Sequence, residues 1–213
     1  MVFKRRDRRS IWQILQETVY PRGGWARAAS YISHRVRRLP DPPARIARGI
    51  AAGIFVSFSP FFGLHLPLAA IVALVLRGNM LAALLSTFIG NPLTFPLIAA
   101  ISLQSGELIM GAETPVPLPQ VLGAFSRAAG QLWEDLGALV TGGPTHWDQL
   151  AIFFEGVFLP YLVGGLVPGV VFGLLAYFLS HPVIAAYQKR RARALYGVPS
   201  KRQVKAVAPG RIR

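Results

Sequence analysis

The stretch Ser57-Phe58-Ser59-Pro60-Phe61-Phe62-Gly63-Leu64-His65-Leu66-Pro67 decides how this chain is read. It lies within a run from Gly49 to Leu76, 28 residues without an acid, a lysine or an arginine. As one straight helix the run would extend about 42 Å at 1.5 Å per residue, against about 30 Å of hydrocarbon in a bilayer. Pro60, Gly63 and Pro67 fall at its middle. Proline there removes a backbone donor and clashes with the preceding turn. Two half-helices joined at mid-depth are expected rather than a single span.

A second apolar run, 80–106, is interrupted in the same manner by Gly90-Asn91-Pro92-Leu93-Thr94-Phe95-Pro96. Pro92 and Pro96 mark that break. A third run, 150–180, contains Pro160, Gly164-Gly165 and Pro168-Gly169. A faint internal repeat links the first and third runs. Gly53-Ile-Phe-Val precedes Gly63 and Pro67, and Gly156-Val-Phe-Leu precedes Gly164 and Pro168. Repeats built on broken helices are a feature of secondary transporters.

Charge fixes the ends. Residues 1–48 carry 12 lysines and arginines against 3 acids, residues 49–188 carry 2 against 6, and residues 189–213 carry 9 against none. Basic ends around an apolar, slightly acidic middle place both termini on the cytoplasmic side of an inner membrane. A nucleic-acid binder also has a high pI, but the middle of this chain is too apolar for one. No cleavable signal is expected, because no apolar core follows the first basic residues. Cysteine is absent, which rules out disulfide and thiolate chemistry.

These features divide the chain into three parts. Residues 1–43 are read as basic amphipathic helices at the cytoplasmic face. Ser10 and Gln13 form a capping box for a helix that stops at Pro21. A second helix carries Trp25, Ala29, Ile32, Val36 and Leu39 on one face and Arg27, Arg35 and Arg37 on the other, with Arg38 at its edge. Such a helix suits anionic lipid, or simple docking on the membrane domain. Residues 44–188 are the membrane domain. Within it, 107–149 is an acidic connection: a spacer with Pro115, Pro117 and Pro119 leads to an amphipathic helix with Val121, Phe125, Ala128, Leu132, Leu136 and Leu139, ended at Thr141-Gly142. Residues 189–213 are a basic tail. The expected fold is all-α and integral to the membrane, with broken or re-entrant helices. Run one enters and leaves on the cytoplasmic side, and runs two and three each cross. The competing topology makes run three the re-entrant one.

Few residues offer chemistry. His65 is the one histidine inside an apolar run; it fits a proton or phosphate contact, or a plain hydrogen bond to a carbonyl freed by the break. Asn91 and Thr94 can line a cavity where broken helix ends meet an anionic substrate, or merely satisfy backbone groups at the kink. Arg77 and Asn79, in Arg77-Gly78-Asn79, are placed to touch a lipid phosphate or to anchor topology. No metal is assigned and no cofactor expected, since the histidines lack ligand spacing. No nucleophile with a base, paired carboxylates or phosphate loop is visible, so an enzyme is not expected.

The pattern Gly53-Ile-Phe, Ser59-Pro60-Phe-Phe-Gly63-Leu-His65, Arg77-Gly-Asn79 and Thr87-Phe-Ile-Gly-Asn91-Pro92-Leu-Thr94-Phe-Pro96 resembles the bacterial membrane family called domain of unknown function 2062. The resemblance is strongest over Gly49–Gly111 and continues through the third run. Domains similar to it are sometimes joined to glycosyltransferases that act on lipid-linked sugars, which implies a place in envelope lipid handling. In architecture alone, the paired breaks look like the re-entrant hairpins of polyprenyl-phosphate translocases. The function expected is therefore that of a transporter or flippase for an anionic lipid or lipid-linked phosphate. Its partners would be the bilayer and its anionic head groups, with no nucleic acid, and a homo-oligomer is compatible. The alternative is a non-enzymatic scaffold that docks a soluble partner through its basic helices.

Overall fold

A computed structural model describes residues 24–111, 117–145 and 147–196. The basic arm, the helix expected from Ser10 and most of the basic tail lie outside the described residues, as does Pro115. Everything described is helix or short connection, and no strand occurs among the described residues.

Helix α1 spans Gly24–Arg37 and is the second amphipathic helix of the sequence reading. Helix α2, Pro43–Ser57, begins on a proline, where the missing N–H costs nothing. The chain then turns through Phe58 to Leu64, and Gly63 takes φ 85°, a left-handed value that glycine adopts without penalty. Helix α3, His65–Val75, follows. Helix α4, Met80–Ser86, runs into a 3₁₀ turn at Thr87–Ile89. The second break comes at 90–94, and helix α5 spans Phe95–Met110. Pro67 and Pro96 therefore do not sit in the breaks themselves. Each lies in the first turn of the helix after a break, where a backbone N–H has no intrahelical acceptor to lose.

Helix α6, Leu118–Thr141, ends at Gly142 with φ 74°, as expected. Pro119 belongs to its first turn, so the proline spacer does not extend that far. Helix α7, Trp147–Phe153, passes through one π turn at Phe154–Phe158 into helix α8, Leu159–Tyr196.

The third run, which the favoured topology reads as a single crossing, is not broken, because α8 continues through both Pro168 and Pro182. A re-entrant third run has no tip at which to turn, and the faint repeat does not correspond to a repeated shape. The helix also continues past Ser180 to Tyr196, so the boundary at 189 falls inside it.

Small residues explain how the helices meet. A methyl group at Gly49 or Gly53 would fall on the carbonyl oxygen of Asn79 or Ala83, so α2 and α4 touch main chain to main chain. In the same way Gly165 lies on the Phe58 carbonyl, Gly164 on that of Ser102 and Gly106 on that of Pro160. The order of these contacts makes α8 antiparallel to both α2 and α5. The path follows. α2 and α3 form a hairpin whose two ends meet, and α4 and α5 form one broken rod running away from that meeting point.

One helical stretch, Trp147–Ala194, is long and apolar enough to cross a membrane, and only 28% of its most apolar window is buried. A core helix of a soluble protein would be mostly covered. Instead Leu166, Val170, Leu174 and Phe178 face outward, which suits hydrocarbon better than water.

Candidate functional site

Three groups of residues hold the chemistry singled out in the sequence. The first joins the ends of the α2–α3 hairpin. Arg77 takes φ 51°, and Gly78 lies so close to Arg48 and Gly49 that an added methyl would approach the Gly49 nitrogen to 2.7 Å. Asn79 then caps α4, its side-chain oxygen accepting from the Ala82 N–H at 2.7 Å. Its backbone N–H donates to the Arg45 carbonyl at 2.8 Å, and its amide donates to Asp41. Arg48 donates to the Arg77 carbonyl at 3.0 Å. Arg45 pairs with Asp41 at 3.1 Å, and the Gln188 amide donates to the Asp41 carbonyl at 2.9 Å. Arg77-Gly78-Asn79 is thus a clasp: one residue in a left-handed turn, one without a side chain and one capping a helix. Asn79 is buried and fully engaged. The Arg77 side chain is exposed.

The second group is the pair of breaks. The His65 imidazole donates through Nε2 to the Ser59 carbonyl at 3.1 Å, a carbonyl released where α2 stops. Ser57 reaches across from α2, donating to the Gly53 carbonyl at 2.9 Å and towards that of Thr87 at 3.4 Å. At the second break the Asn91 side-chain oxygen accepts from Leu93 N–H at 2.9 Å and Thr94 N–H at 3.2 Å. The Thr94 hydroxyl accepts from the Asn91 N–H at 3.1 Å and donates to the Ile89 carbonyl. Asn91 and Thr94 therefore close the turn that leads into α5, each side chain accepting from the other's backbone N–H in the reciprocal manner of a capping box. The backbone satisfaction weighed for His65, Asn91 and Thr94 is what their bonds accomplish.

Around the hairpin tip the rings gather. Phe62 meets Phe125 with ring centroids 4.6 Å apart, Phe95 at 5.3 Å and Tyr161 at 5.9 Å. Phe61 packs edge-on against Phe158 at 5.4 Å. Sequence patterning gave no hint of this cluster, since its rings come from α5, α6, the π turn and α8 as well as the tip.

The third group is a cavity of about 590 Å³ between α1, α2, α4 and α8, within the usual range for ligand sites. Its walls are Ile32 and Val36 from α1, Ile50 and Ile54 from α2, Leu85, Phe88 and Ile89 from α4 and its 3₁₀ turn, and Leu179, Val183 and Ile184 from α8. Ser33, Ser86, Ser180 and Asn91 add polar points, and Arg37 is the single charged residue in the lining among the described residues. The sequence reading places His65, Asn91 and Thr94 in the lining of a mid-membrane cavity. Asn91 reaches the cavity between these four helices, whereas His65 and Thr94 do not line it. Residues from α1 and from α8 beyond the third apolar run complete it, and only the alternation of apolar and basic residues in α1 pointed that way. Among the described residues no three His, Asp or Glu side chains converge on one point.

Among the described residues, a helical bundle with two hydrogen-bonded breaks, one helix long and apolar enough to cross a membrane and an aliphatic cavity with a single cation define the class. The chain belongs to the family described as "Uncharacterized protein conserved in bacteria" (domain of unknown function 2062), whose profile matches residues 26–193. No curated protein and no solved structure matches the chain.

Proposed function

We propose that this chain is a bacterial inner-membrane protein that takes up a lipid carrying an anionic head group and moves it between membrane levels, as a transporter or flippase does. The head group is the shared chemistry of an anionic phospholipid and a lipid-linked phosphate. The observation that carries the reading is the cavity: aliphatic walls from four helices for a hydrocarbon tail, and Arg37 in the same lining for a phosphate. The exposed arginines Arg27, Arg35 and Arg38 add attraction to an anionic surface.

In this reading the α2–α3 hairpin dips in from the cytoplasmic face. At 15 residues, α2 reaches about 22 Å, short of the roughly 30 Å of hydrocarbon. The α4–α5 rod and α8 cross, both termini are cytoplasmic, and the acidic region 107–149 lies outside. Non-helical backbone at membrane depth is tolerated where protein surrounds it, and the caps at Ser59 and Asn91 meet that need. His65 and Thr94 hold the breaks, and Asn91 both holds its break and touches the bound lipid.

Native mass spectrometry of the protein in mild detergent tests the reading. The wild type retains a lipid, whose mass distinguishes a phospholipid from a lipid-linked phosphate, and Ile54→Trp, which fills the cavity, loses it. A lipid-free wild type, or equal occupancy in Ile54→Trp, overturns the reading. Movement is tested separately by the accessibility of a labelled lipid in proteoliposomes. The scaffold alternative draws on the same exposed arginines. Deleting residues 1–40 does not separate the two readings, because α1 walls the cavity. Reversing Arg27, Arg35 and Arg38 to Glu does, since a scaffold then loses its soluble partner while the cavity keeps its lipid.

A further inference from the structure

Helix α6 has two unlike halves. Its first half is docked: Val121 is fully buried with Ala99, Leu103 and Tyr161, and the Phe125 ring stands on those of Phe62 and Phe153. Its second half buries Asp135 on one side and leaves the other side uncovered. Trp133 is 79% exposed and Val140 88%, and Leu132, Leu136 and Leu139 are exposed with them. At 100° per residue these five fall within about 120° of arc, so they form one continuous apolar face. Glu134 projects from the opposite side of the helix. Gly130 and Gly137 meet nothing within 4 Å, and each lowers intrinsic helicity by about 1 kcal/mol relative to alanine. A half-helix with two such glycines and an uncovered apolar face needs a surface to lie on.

We infer that the second half of α6 lies in the head-group boundary of the leaflet opposite the α2–α3 clasp, with its Leu132–Val140 face turned into lipid. Three observations favour lipid as the occupant. The docked half of α6 is fixed at the hairpin tip, the end of the bundle farthest from Asn79 and Arg45. The neighbouring chain ends there are equally bare: Leu108 and Ile109 at the end of α5, and Trp147 and Ile152 in α7, are exposed, so the face continues an apolar girdle. Tryptophan concentrates at such boundaries. Charge supplies the third. Region 107–149 holds five acids against Arg127 alone, so nothing there recruits anionic lipid. The partner is a neutral or zwitterionic surface gripped by apolar area, unlike the cation-rich α1. The inference rests on the membrane location proposed above.

The chain has no cysteine, so single cysteines test this in the full-length protein without removing any. Val140→Cys and Glu134→Cys, each carrying an environment-sensitive dye, are reconstituted in phosphatidylcholine vesicles, and flotation reports membrane integration independently. The dye at 140 shifts to the blue, is quenched by shallow-brominated acyl chains and loses its quenching by aqueous iodide, while the dye at 134 stays open to iodide. Equal iodide quenching at both positions in a protein that floats overturns the inference and leaves the membrane location standing. Failure to float overturns both. Shielding at 140 that shows no bromine quenching and disappears on dilution with extra lipid overturns it in favour of a second copy of the chain.

Discussion

The backbone N–H of Asn79 donates to the carbonyl of Arg45 at 2.8 Å, so the chain that leaves this point along α2 returns to it after α3. The hairpin is closed by this main-chain bond, and the Arg48 side chain adds a second bond to the Arg77 carbonyl. Asn79→Ala removes the cap of α4, worth about 1 kcal/mol, and leaves Asp41 without the amide that faces it, for a total of about 2 kcal/mol. The expected result is a clear drop in the melting temperature of the detergent-solubilised protein. Asn79→Asp keeps the cap but sets two carboxylates against each other, so it fails to restore stability.

Arg77 behaves oppositely. Its φ of 51° costs a non-glycine residue about 1 kcal/mol, and the bond it contributes to the clasp comes from its carbonyl. Arg77→Gly is expected to be neutral or slightly stabilising in a thermal scan. The same variant reports whether the exposed guanidinium serves a lipid phosphate. Unchanged lipid occupancy in native mass spectrometry assigns Arg77 to the turn alone.

His65→Ala loses the bond to the Ser59 carbonyl at the tip and leaves that carbonyl unpaired, a cost of about 1–3 kcal/mol. His65 does not line the cavity, so bound lipid is expected to stay. Asn91→Ala is expected to lower both stability and occupancy, because Asn91 holds the turn before α5 and also reaches the cavity. Loss of lipid in His65→Ala at a temperature where the variant is folded would place His65 back among the ligand-binding residues.

Gly164→Ala and Gly106→Ala drive a methyl group into the main chain of the neighbouring helix. Overpacking of this kind costs about 1–3 kcal/mol and more where backbone cannot shift. Both are expected to abolish recovery of folded protein from membranes. Gly130→Ala and Gly137→Ala face open space and are expected to stabilise α6 by up to about 1 kcal/mol each. Helical content measured by circular dichroism separates the two pairs.

The breaks were legible in the sequence because Pro60, Gly63 and Pro92 sit where no uninterrupted helix carries them. The limits of α6 were legible from its apolar spacing and Gly142. The repeat and the competing re-entrant reading of the third run misled because glycine and proline serve two physical ends. Gly63 supplies a positive φ in a turn, whereas Gly164 and Gly165 supply the absence of a side chain inside a continuous helix. Residue type alone does not separate these uses, and neither does the shared spacing to the next proline. The cavity was illegible for a related reason. Its walls come from α1 and from α8 near Val183, distant in sequence, and aliphatic residues carry no mark of the partner they will face. Arg77 and Asn79 looked like ligands because a polar triplet between apolar runs is equally what a lipid contact or a helix cap requires.

The glycine joints have a mechanical consequence. Where α2 rests on α4, and α8 rests on α2 and α5, main chain lies on main chain with no layer of side chains between. A joint of that kind has no rotamers to exchange. Sliding it by one residue brings a β-carbon onto a carbonyl, so it has one seating and cannot ratchet. These four helices are a chassis. Under the proposed function, any stroke belongs to parts of the molecule without such seams, among them α1 over the cavity and the second half of α6 at the other end of the bundle.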